Sequence, residues 1–314
     1  MNATARTGAL KLRGDMRRDE PLSRHTVWGI GGPAERFYEP ADAEDLAACV
    51  ASLPPGEPLF WLGLGSNLLV RDGGIRGTVI NTATCLGHIE RPTAKRVRAG
   101  AGAPCPKIAK RCAQFGLAGG EFLAGIPGTF GGALAMNAGA FGGETWGIVA
   151  SVESIDRSGQ VRRRPVTDFT IGYRSVKGPE NEWFLSAELE LSPDAPDAVE
   201  ARIKSLLKRR SDTQPMGYRS CGSVFRNPPG DYAARLIEAS GLKGHRVGDA
   251  AVSEKHANFI LNLGAATAED VETLIGLIRE RVTRDHGVEL VTEVHIVGDA
   301  LPTTEADTSG SGAV

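Results

Sequence analysis

Residues Gly63-Leu64-Gly65-Ser66-Asn67-Leu68 follow the apolar run Leu59-Phe60-Trp61-Leu62. A strand that empties into a glycine-rich loop is a place where backbone N–H groups can meet a phosphate, and the spacing matches half of a dinucleotide fingerprint. The other half is absent. Leu68 stands where the third glycine belongs, no acidic residue lies near position 85 to hold a ribose, and no clear helix follows. A Rossmann fold is therefore disfavoured. The backbone argument survives, because small residues expose a row of N–H groups and such a nest can hold a pyrophosphate. Taken alone, the segment could equally be a hairpin turn. Gly125-Ile126-Pro127-Gly128-Thr129-Phe130-Gly131-Gly132 and Asn137-Ala138-Gly139-Ala140 form a second glycine-dense stretch. Two such loops suit a long ligand pinned at more than one place.

Other chemistries find less support. There is no Walker A sequence and no HExxH, and the six histidines show no metal-ligand spacing, so no metal is expected. Cys49, Cys85, Cys105, Cys112 and Cys221 are scattered and form no CxxC. They read as reduced thiols, which suits a cytoplasmic protein.

The elements that must position these residues follow from periodicity and caps. Asp42 to Leu53 reads as a capped helix stopped by Pro54-Pro55, and Leu59 to Leu62 as a strand. Leu68 to Val70 and Thr78 to Ile80 read as strands around the turn Asp72-Gly73-Gly74. Pro106 to Phe115 is a helix closed by Gly116. Val149 to Asp156 and Val161 to Arg164 make a hairpin, and Phe184 to Leu191 a strand. Beyond Pro193 and Pro196 the chain becomes more helical. Asp197 to Arg210 carries Val199, Ile203, Leu206 and Leu207 on one face, and Tyr232 to Ser240 is another helix. Thr267 to Asp285 is a third, with Val271, Leu274, Ile275, Ile278 and Val282 at helical spacing. Val288 to Val297 is a terminal strand. A boundary is expected near 192–197.

The whole chain sets limits on class. Of 314 residues 41% are apolar and 24% charged, which excludes a disordered chain. The net charge of −2 gives no footprint for nucleic acid. Glycine, 40 residues, is about twice its usual ~7% share. Phe122 to Gly143 carries no charge and is long enough for a membrane span. Its seven glycines, Pro127 and Asn137 argue instead for buried backbone in a protein without membrane insertion. Residues 1–20 are basic without an apolar core and read as a mobile arm, and 301–314 as a disordered tail.

His25-Thr26-Val27-Trp28-Gly29-Ile30-Gly31-Gly32-Pro33-Ala34 resembles the N-terminal signature of the UDP-N-acetylenolpyruvoylglucosamine reductases, flavoenzymes of peptidoglycan precursor synthesis. Leu62 to Val70 resembles their flavin loop. Glu121 to Gly139 resembles their E-F-L-A-G-I-P-G-T-x-G-G-A-x-x-M-N-A-G block, and Ser220 to Pro228 (SCGSVFRNP) their catalytic segment. Leu236 to Gly244, Lys255 to Asn262 and Leu290 to Gly298 complete the order, so the resemblance covers roughly residues 20 to 300.

The resemblance implies an α+β fold: a two-lobed FAD-binding module of the vanillyl-alcohol-oxidase type and a C-terminal α+β substrate-binding domain. The expected divisions are the arm 1–20, lobe one 21–83, lobe two 84–196, substrate domain 197–300 and tail 301–314. It implies noncovalent FAD held by Gly63, Gly65, Ser66, Asn67, Ile126, Pro127, Gly128, Thr129, Gly132, Asn137 and Gly139. No His or Cys occupies the two glycine loops to form a covalent link.

The implied reaction is NADPH-dependent reduction of the enolpyruvyl ether on UDP-N-acetylglucosamine, by a protein expected to be a monomer. NADPH would reduce the flavin and leave, and the enol ether would enter the same cleft. Hydride addition to the vinyl CH2 places negative charge on the carbon next to the carboxylate, so fixed donors must stabilise it and an acid must protonate it. By resemblance the catalytic positions are Arg174, Ser223 and Glu293, and Arg226, Asn227 and His256 bind substrate. A forked guanidinium suits the carboxylate, and Ser223 is the expected acid, with the intrinsically more acidic thiol of Cys221 (pKa ~8.5) as its rival.

The chain departs from the family pattern in places. Cys221 stands where Ala is usual and Arg226 where Lys is usual, and the Tyr173-Arg174-Ser175 segment is short. No insertion suited to a tyrosine-bearing lid lies between Arg174 and Ser223, which resembles the branch with the open cleft. A different flavin oxidoreductase of the superfamily would also account for the first 190 residues or so, and a nucleotide-binding module for the glycine loops alone.

Overall fold

The computed structural model describes residues 12–301. The first lobe is a four-stranded sheet. Its strands are β1 (Asp15–Pro21), β2 (Pro33–Glu39), β3 (Leu59–Leu62) and β5 (Ile75–Asn81), in the order β1-β2-β5-β3. Both β2 and β3 run parallel to β5. Strand β5 is buried along most of its length, which explains its unbroken run Thr78-Val79-Ile80. Helix α1 (Ala43–Ser52) makes the crossover from β2 to β3. Asp42 caps it by accepting from the Asp45 N–H, and Leu46 and Val50, one turn apart, are fully buried.

The second lobe is a five-stranded antiparallel sheet. Its order is Val161–Pro165, Val149–Asp156, Glu182–Glu190, β7 (Arg96–Gly100), β6 (Ile89–Thr93). Helices α2 (Cys105–Gln114) and α3 (Phe130–Met136) bury Ile108, Cys112, Phe130 and Leu134 in one core with Val97 and Leu189 of the sheet. The uncharged stretch 122–143 folds as a 3-10 turn, the short α3 and a two-stranded hairpin. Among the described residues no helix is long and apolar enough to cross a membrane.

The C-terminal unit packs α5 (Ala233–Ala239) and α6 (Ala268–His286) on a three-stranded sheet of Arg246–Val247, Ala250–Val252 and Ile260–Asn262. Thr267 and Asp270 form a capping box at the start of α6, and Gly287 ends it at φ +67°. Two features fasten this unit to the first lobe. Trp28 is fully buried in the C-terminal core, donates from Nε1 to the Ile260 carbonyl, and accepts from Asn262 at its own carbonyl. The last strand, His295–Val297, returns to pair in parallel with β4 (Leu68–Val70).

Four expectations need correction. The stretch 1–20 is not a free arm throughout: β1 begins at Asp15 and pairs with β2. The reason is Asp45, whose carboxylate receives the Arg13 N–H (2.7 Å), the Gly14 N–H (2.9 Å), the Ala41 N–H (3.0 Å) and the Tyr38 hydroxyl (2.5 Å). Residues 1–11 and nearly all of the expected tail, 302–314, lie outside the described residues.

The helix assigned to the C-terminal half, α4 (Pro196–Thr213), packs on the second lobe instead. Val199 is buried, Ile203 joins the second-lobe core, and Arg202 bonds to Glu121, whereas Leu207 is exposed. Strands β4 and β5 belong to different sheets despite the short turn between them. The terminal strand covers only His295–Val297. Residues 290–293 instead bend alongside the Ser223 segment, where the Glu293 N–H donates to the Val224 carbonyl (2.7 Å).

Desolvation works to raise the pKa of Asp45, but its hydrogen-bond donors prevail and hold it below the ordinary value. Asp45→Ala should lower stability at neutral pH by roughly 3 kcal/mol, read from urea melts. Because the folded-state pKa is depressed, that contribution is complete above the unfolded value of about 3.9 and fades below it. The gap between wild type and variant should therefore narrow as pH falls from 5 toward 3.

Candidate active site

The two glycine segments meet face to face. A Cβ on Gly63 would lie 2.2 Å from Thr129 Oγ1, and one on Gly128 would lie 2.9 Å from Ser66 Oγ. Neither position has room for a side chain unless its neighbour moves. Among the described residues, the N–H groups of Gly63, Leu64, Gly65, Ser66 and Asn67 donate to no protein acceptor. The open row expected from the sequence is thus present, and it fits a diphosphate.

The same segments line two cavities. The larger, about 280 Å³, takes Ser66 and Asn67 from the first and Ile126, Pro127 and Gly139 from the second. The smaller, about 190 Å³, takes Gly63, Thr129 and Gly132 and is walled by Trp61 and Trp183, stacked 5.1 Å apart. Residues of both segments could hold a long cofactor such as FAD.

Into the larger cleft the fold also brings Arg174, Ser223, Asn227 and Glu293. Arg174 sits in the tight turn of the hairpin Thr170–Gly172/Ser175–Lys177, at φ +50°, a strained conformation for a non-glycine residue. Its side chain is held on three sides. Nε donates to Glu293 Oε1 (2.9 Å), Nη2 to the Gly139 carbonyl (3.2 Å) and Nη1 to the Asn137 carbonyl (3.4 Å). Both ion-pair side chains are only 15% exposed. Glu293 is anchored in turn by its own backbone, whose carbonyl accepts from Asn67 Nδ2 (3.1 Å). Loop one, loop two and the C-terminal unit are therefore linked through one chain of polar contacts.

Ser223 and Cys221 are two residues apart and both border the cleft, but they differ in burial. Gly222 between them takes φ +78°, a turn that leaves Ser223 on the cleft wall. Cys221 is buried, its thiol directed at the Leu68 carbonyl (3.4 Å), and desolvation pushes its pKa to about 12. It packs against the backbone of the Gly65–Leu68 turn, as expected of a packing residue.

Five candidates do not line either cavity: Gly65, Gly128, Asn137, Arg226 and His256. Gly65 is required by its own backbone: φ is +58°, and a Cβ would meet the His25 carbonyl at 2.3 Å. The side chain of Asn137 is fully occupied, donating to Glu144 Oε2 and the Gly172 carbonyl and accepting from the Trp146 N–H. It ties the second glycine segment to the Arg174 hairpin rather than facing a ligand. His256 packs edge-on against Phe259, 4.7 Å between ring centres, and burial lowers its pKa. The Arg226 N–H bonds to the Val291 carbonyl, and its Nε is buried without a hydrogen-bond partner among the described residues. Asn227 does reach the cleft, but its Oδ1 also accepts from the Ala233 N–H at the start of α5 (3.1 Å).

Residues that the motifs did not single out complete the wall: Phe141, Tyr173, Arg210, Gln214 and Phe259. Arg210 lies in the last turn of α4 and donates through Nε to Gln214 Oε1 (3.0 Å). No carboxylate lies within ion-pair distance of it among the described residues, and burial lowers its pKa. Only the repacking of α4 onto the second lobe brings it here.

Comparison with known proteins agrees with this geometry. A family model described as "FAD binding domain" matches residues 34–164, which contain both glycine segments. With the cleft they line, this makes the protein a flavin-dependent oxidoreductase. Residues 214–297 match the model of the UDP-N-acetylenolpyruvoylglucosamine reductase C-terminal domain. A UDP-N-acetylenolpyruvoylglucosamine reductase from Alkalilimnicola ehrlichii is 60% identical over 91% of this chain and 96% of its own. One from Methylococcus capsulatus is 59% identical over 95% and 98%. The crystal structure of UDP-N-acetylenolpyruvylglucosamine reductase from Thermus caldophilus superposes with a TM-score of 0.76 at 33% identity, covering 91% of this chain and 99% of that one. The chain belongs to the UDP-N-acetylenolpyruvoylglucosamine reductase family. The α+β architecture, an FAD-binding module followed by a distinct C-terminal domain, is the one expected from the sequence, and the C-terminal family match begins at 214, after α4.

Gly128 takes an ordinary negative φ and its Cβ direction meets only Ser66, so a side chain there blocks the cradle without straining the backbone. Gly128→Val should purify with less than half the wild-type flavin absorbance while keeping its far-UV circular dichroism. Full flavin content would separate Gly128 from the cofactor.

Proposed function

We propose that this protein reduces the enolpyruvyl ether of UDP-N-acetylglucosamine to UDP-N-acetylmuramate, with NADPH as electron donor and FAD held without a covalent link. The observation that carries the reading is the convergence of Arg174, Glu293 and Ser223 on one cleft lined by both glycine segments. Gly63, Ser66, Ile126, Pro127, Gly128, Thr129 and Gly132 would hold FAD, with the open N–H row against its diphosphate. When bound, FAD supplies two-electron hydride chemistry.

Reduction of the enol ether puts negative charge on the carbon beside the carboxylate. A guanidinium has five N–H donors, and the protein takes three of those on Arg174. The remainder serve the substrate carboxylate and the charge that develops next to it. Because the pair is largely shielded from water, its field acts more strongly there than at the surface. Ser223 delivers the proton to the carbon. An aliphatic hydroxyl is a weak acid, but the acceptor is strongly basic, and Glu293 offers a route for resupply. Arg210, without a carboxylate of its own, takes the place expected of Arg226 and faces the diphosphate of the sugar nucleotide. Asn227 joins it at the rim.

The half-reactions test the acid. Ser223→Ala should leave flavin reduction by NADPH near normal and slow reoxidation by the enolpyruvyl substrate roughly 10²–10⁴-fold. Cys221→Ala should leave both rates within a few-fold of wild type, and the opposite pattern would make the thiol the acid. Arg210→Gln should raise KM for the UDP-sugar roughly 10–100-fold, the loss of a charge-assisted contact, with flavin content unchanged.

A further inference from the structure

Phe141 occupies a position that its residue type does not suit. The strands Gly139–Ala140 and Gly143–Glu144 pair with Ala140 opposite Gly143, so Phe141-Gly142 is a two-residue turn. Both residues have positive φ, +54° and +88°. Turns of this kind favour Asn-Gly or Asp-Gly, and a bulky residue at positive φ is an outlier. Among the described residues, the other non-glycine positions with positive φ are Asp19, Asn137, Arg174 and Asn181. Asp and Asn tolerate this conformation, and Arg174 is fastened by Glu293 and two carbonyls. Phe141 has no polar group with which to make up the cost. Nor does the turn need it, since Gly142 is exposed and Phe141 itself only half-buried.

The ring explains the choice. It lies over Gly125, where a Cβ would come within 2.4 Å of Phe141 Cε2, so the ring's position depends on glycine at 125. It lines the larger cleft beside Gly125, Ile126 and Arg174. The hairpin that carries it also supplies the Gly139 carbonyl that holds Arg174 Nη2. Two hairpins therefore meet at this cleft: one carries the ring and the carbonyl that holds Arg174 Nη2, the other carries Arg174 itself.

We infer that Phe141 is a positioning residue for the substrate: its ring packs against the apolar vinyl group while Arg174 takes the adjoining carboxylate. An apolar carbon directly attached to a carboxylate matches a ring beside a guanidinium. A nicotinamide, whose carboxamide is neutral, has no charge for Arg174 to pair with, so the ring acts in the substrate half-reaction. This inference rests on the reaction proposed above.

The test uses the flavin-loaded protein with Phe141→Asn, which suits the turn and removes the ring, and Phe141→Tyr, which keeps it. Flavin reduction by NADPH and reoxidation by UDP-N-acetylglucosamine enolpyruvate are measured separately by stopped flow, with the thermal midpoint alongside. Phe141→Asn should keep its flavin, hold its NADPH rate within about twofold, slow reoxidation at least tenfold, and melt no lower than wild type. Phe141→Tyr should restore reoxidation to within a few-fold. Equal slowing of both half-reactions, or slowing of neither, overturns the inference and makes the ring ordinary packing, as does a Tyr variant as slow as the Asn one. A wild-type protein that reduces its flavin with NADPH but is not reoxidised by this substrate overturns the proposed reaction itself, and the inference with it.

Discussion

An arginine and a glutamate 119 residues apart in the chain share a hydrogen bond of 2.9 Å with most of the surrounding water removed. Neither charge is tolerable alone in that setting, since a partly buried ion without its partner costs several kcal/mol. The pair therefore constrains the rest of the structure. It forms only if the hairpin of the second lobe and the bend at residues 290–293 of the C-terminal unit are held in fixed relation. The devices that hold them are non-local. Trp28 is buried in a core built mostly of C-terminal residues, the terminal strand pairs with β4, and Asn67 bonds to the Glu293 backbone. Each ties the first lobe to the unit that supplies the carboxylate, and Asn137 ties the second glycine segment to the hairpin that supplies the guanidinium.

Glycine has two distinct duties around the cleft. At Gly65 and Gly222 the backbone itself is left-handed, so the residue is dictated by conformation. At Gly63 and Gly128 it is dictated by proximity, because the opposing loop occupies the space a Cβ would need. Only the second kind keeps the facing backbone open to a ligand. The pair Cys221 and Ser223 makes a related point about environment. The thiol is intrinsically the stronger acid, yet desolvation pushes its pKa up to about 12 and narrows that advantage, while Gly222 turns the chain so that Ser223 faces the cleft.

Backbone strain collects where the two glycine segments and the Arg174 hairpin meet. Asn137, Phe141 and Arg174 all adopt positive φ within or beside the larger cleft. Such conformations persist only where surrounding contacts over-determine them. For Asn137 and Arg174 those contacts are visible as hydrogen bonds to neighbouring loops. The cleft is thus rigid for reasons of connectivity, which suits a site that must aim fixed donors at a charge that exists only transiently.

Local information determined a good deal. Helices α1, α2 and α6, the hairpin from Val149 and the open backbone row at Gly63–Asn67 follow from periodicity, caps and side-chain size, all of which act over a few residues. The family blocks marked Arg174, Ser223 and Glu293, and the fold places them together. What sequence could not decide was partnership at long range. The amphipathic face of α4 was legible, but not that it would bury itself on the second lobe and so deliver Arg210 to the cleft. The basic stretch before residue 20 looked unattached because Asp45, the carboxylate that organises its start, lies 32 residues beyond Arg13. Asn137, Arg226 and His256 stand in the right blocks yet do not line the cleft. The orientation of a side chain is set by neighbours that only the folded chain brings near, and no spacing along the sequence encodes it.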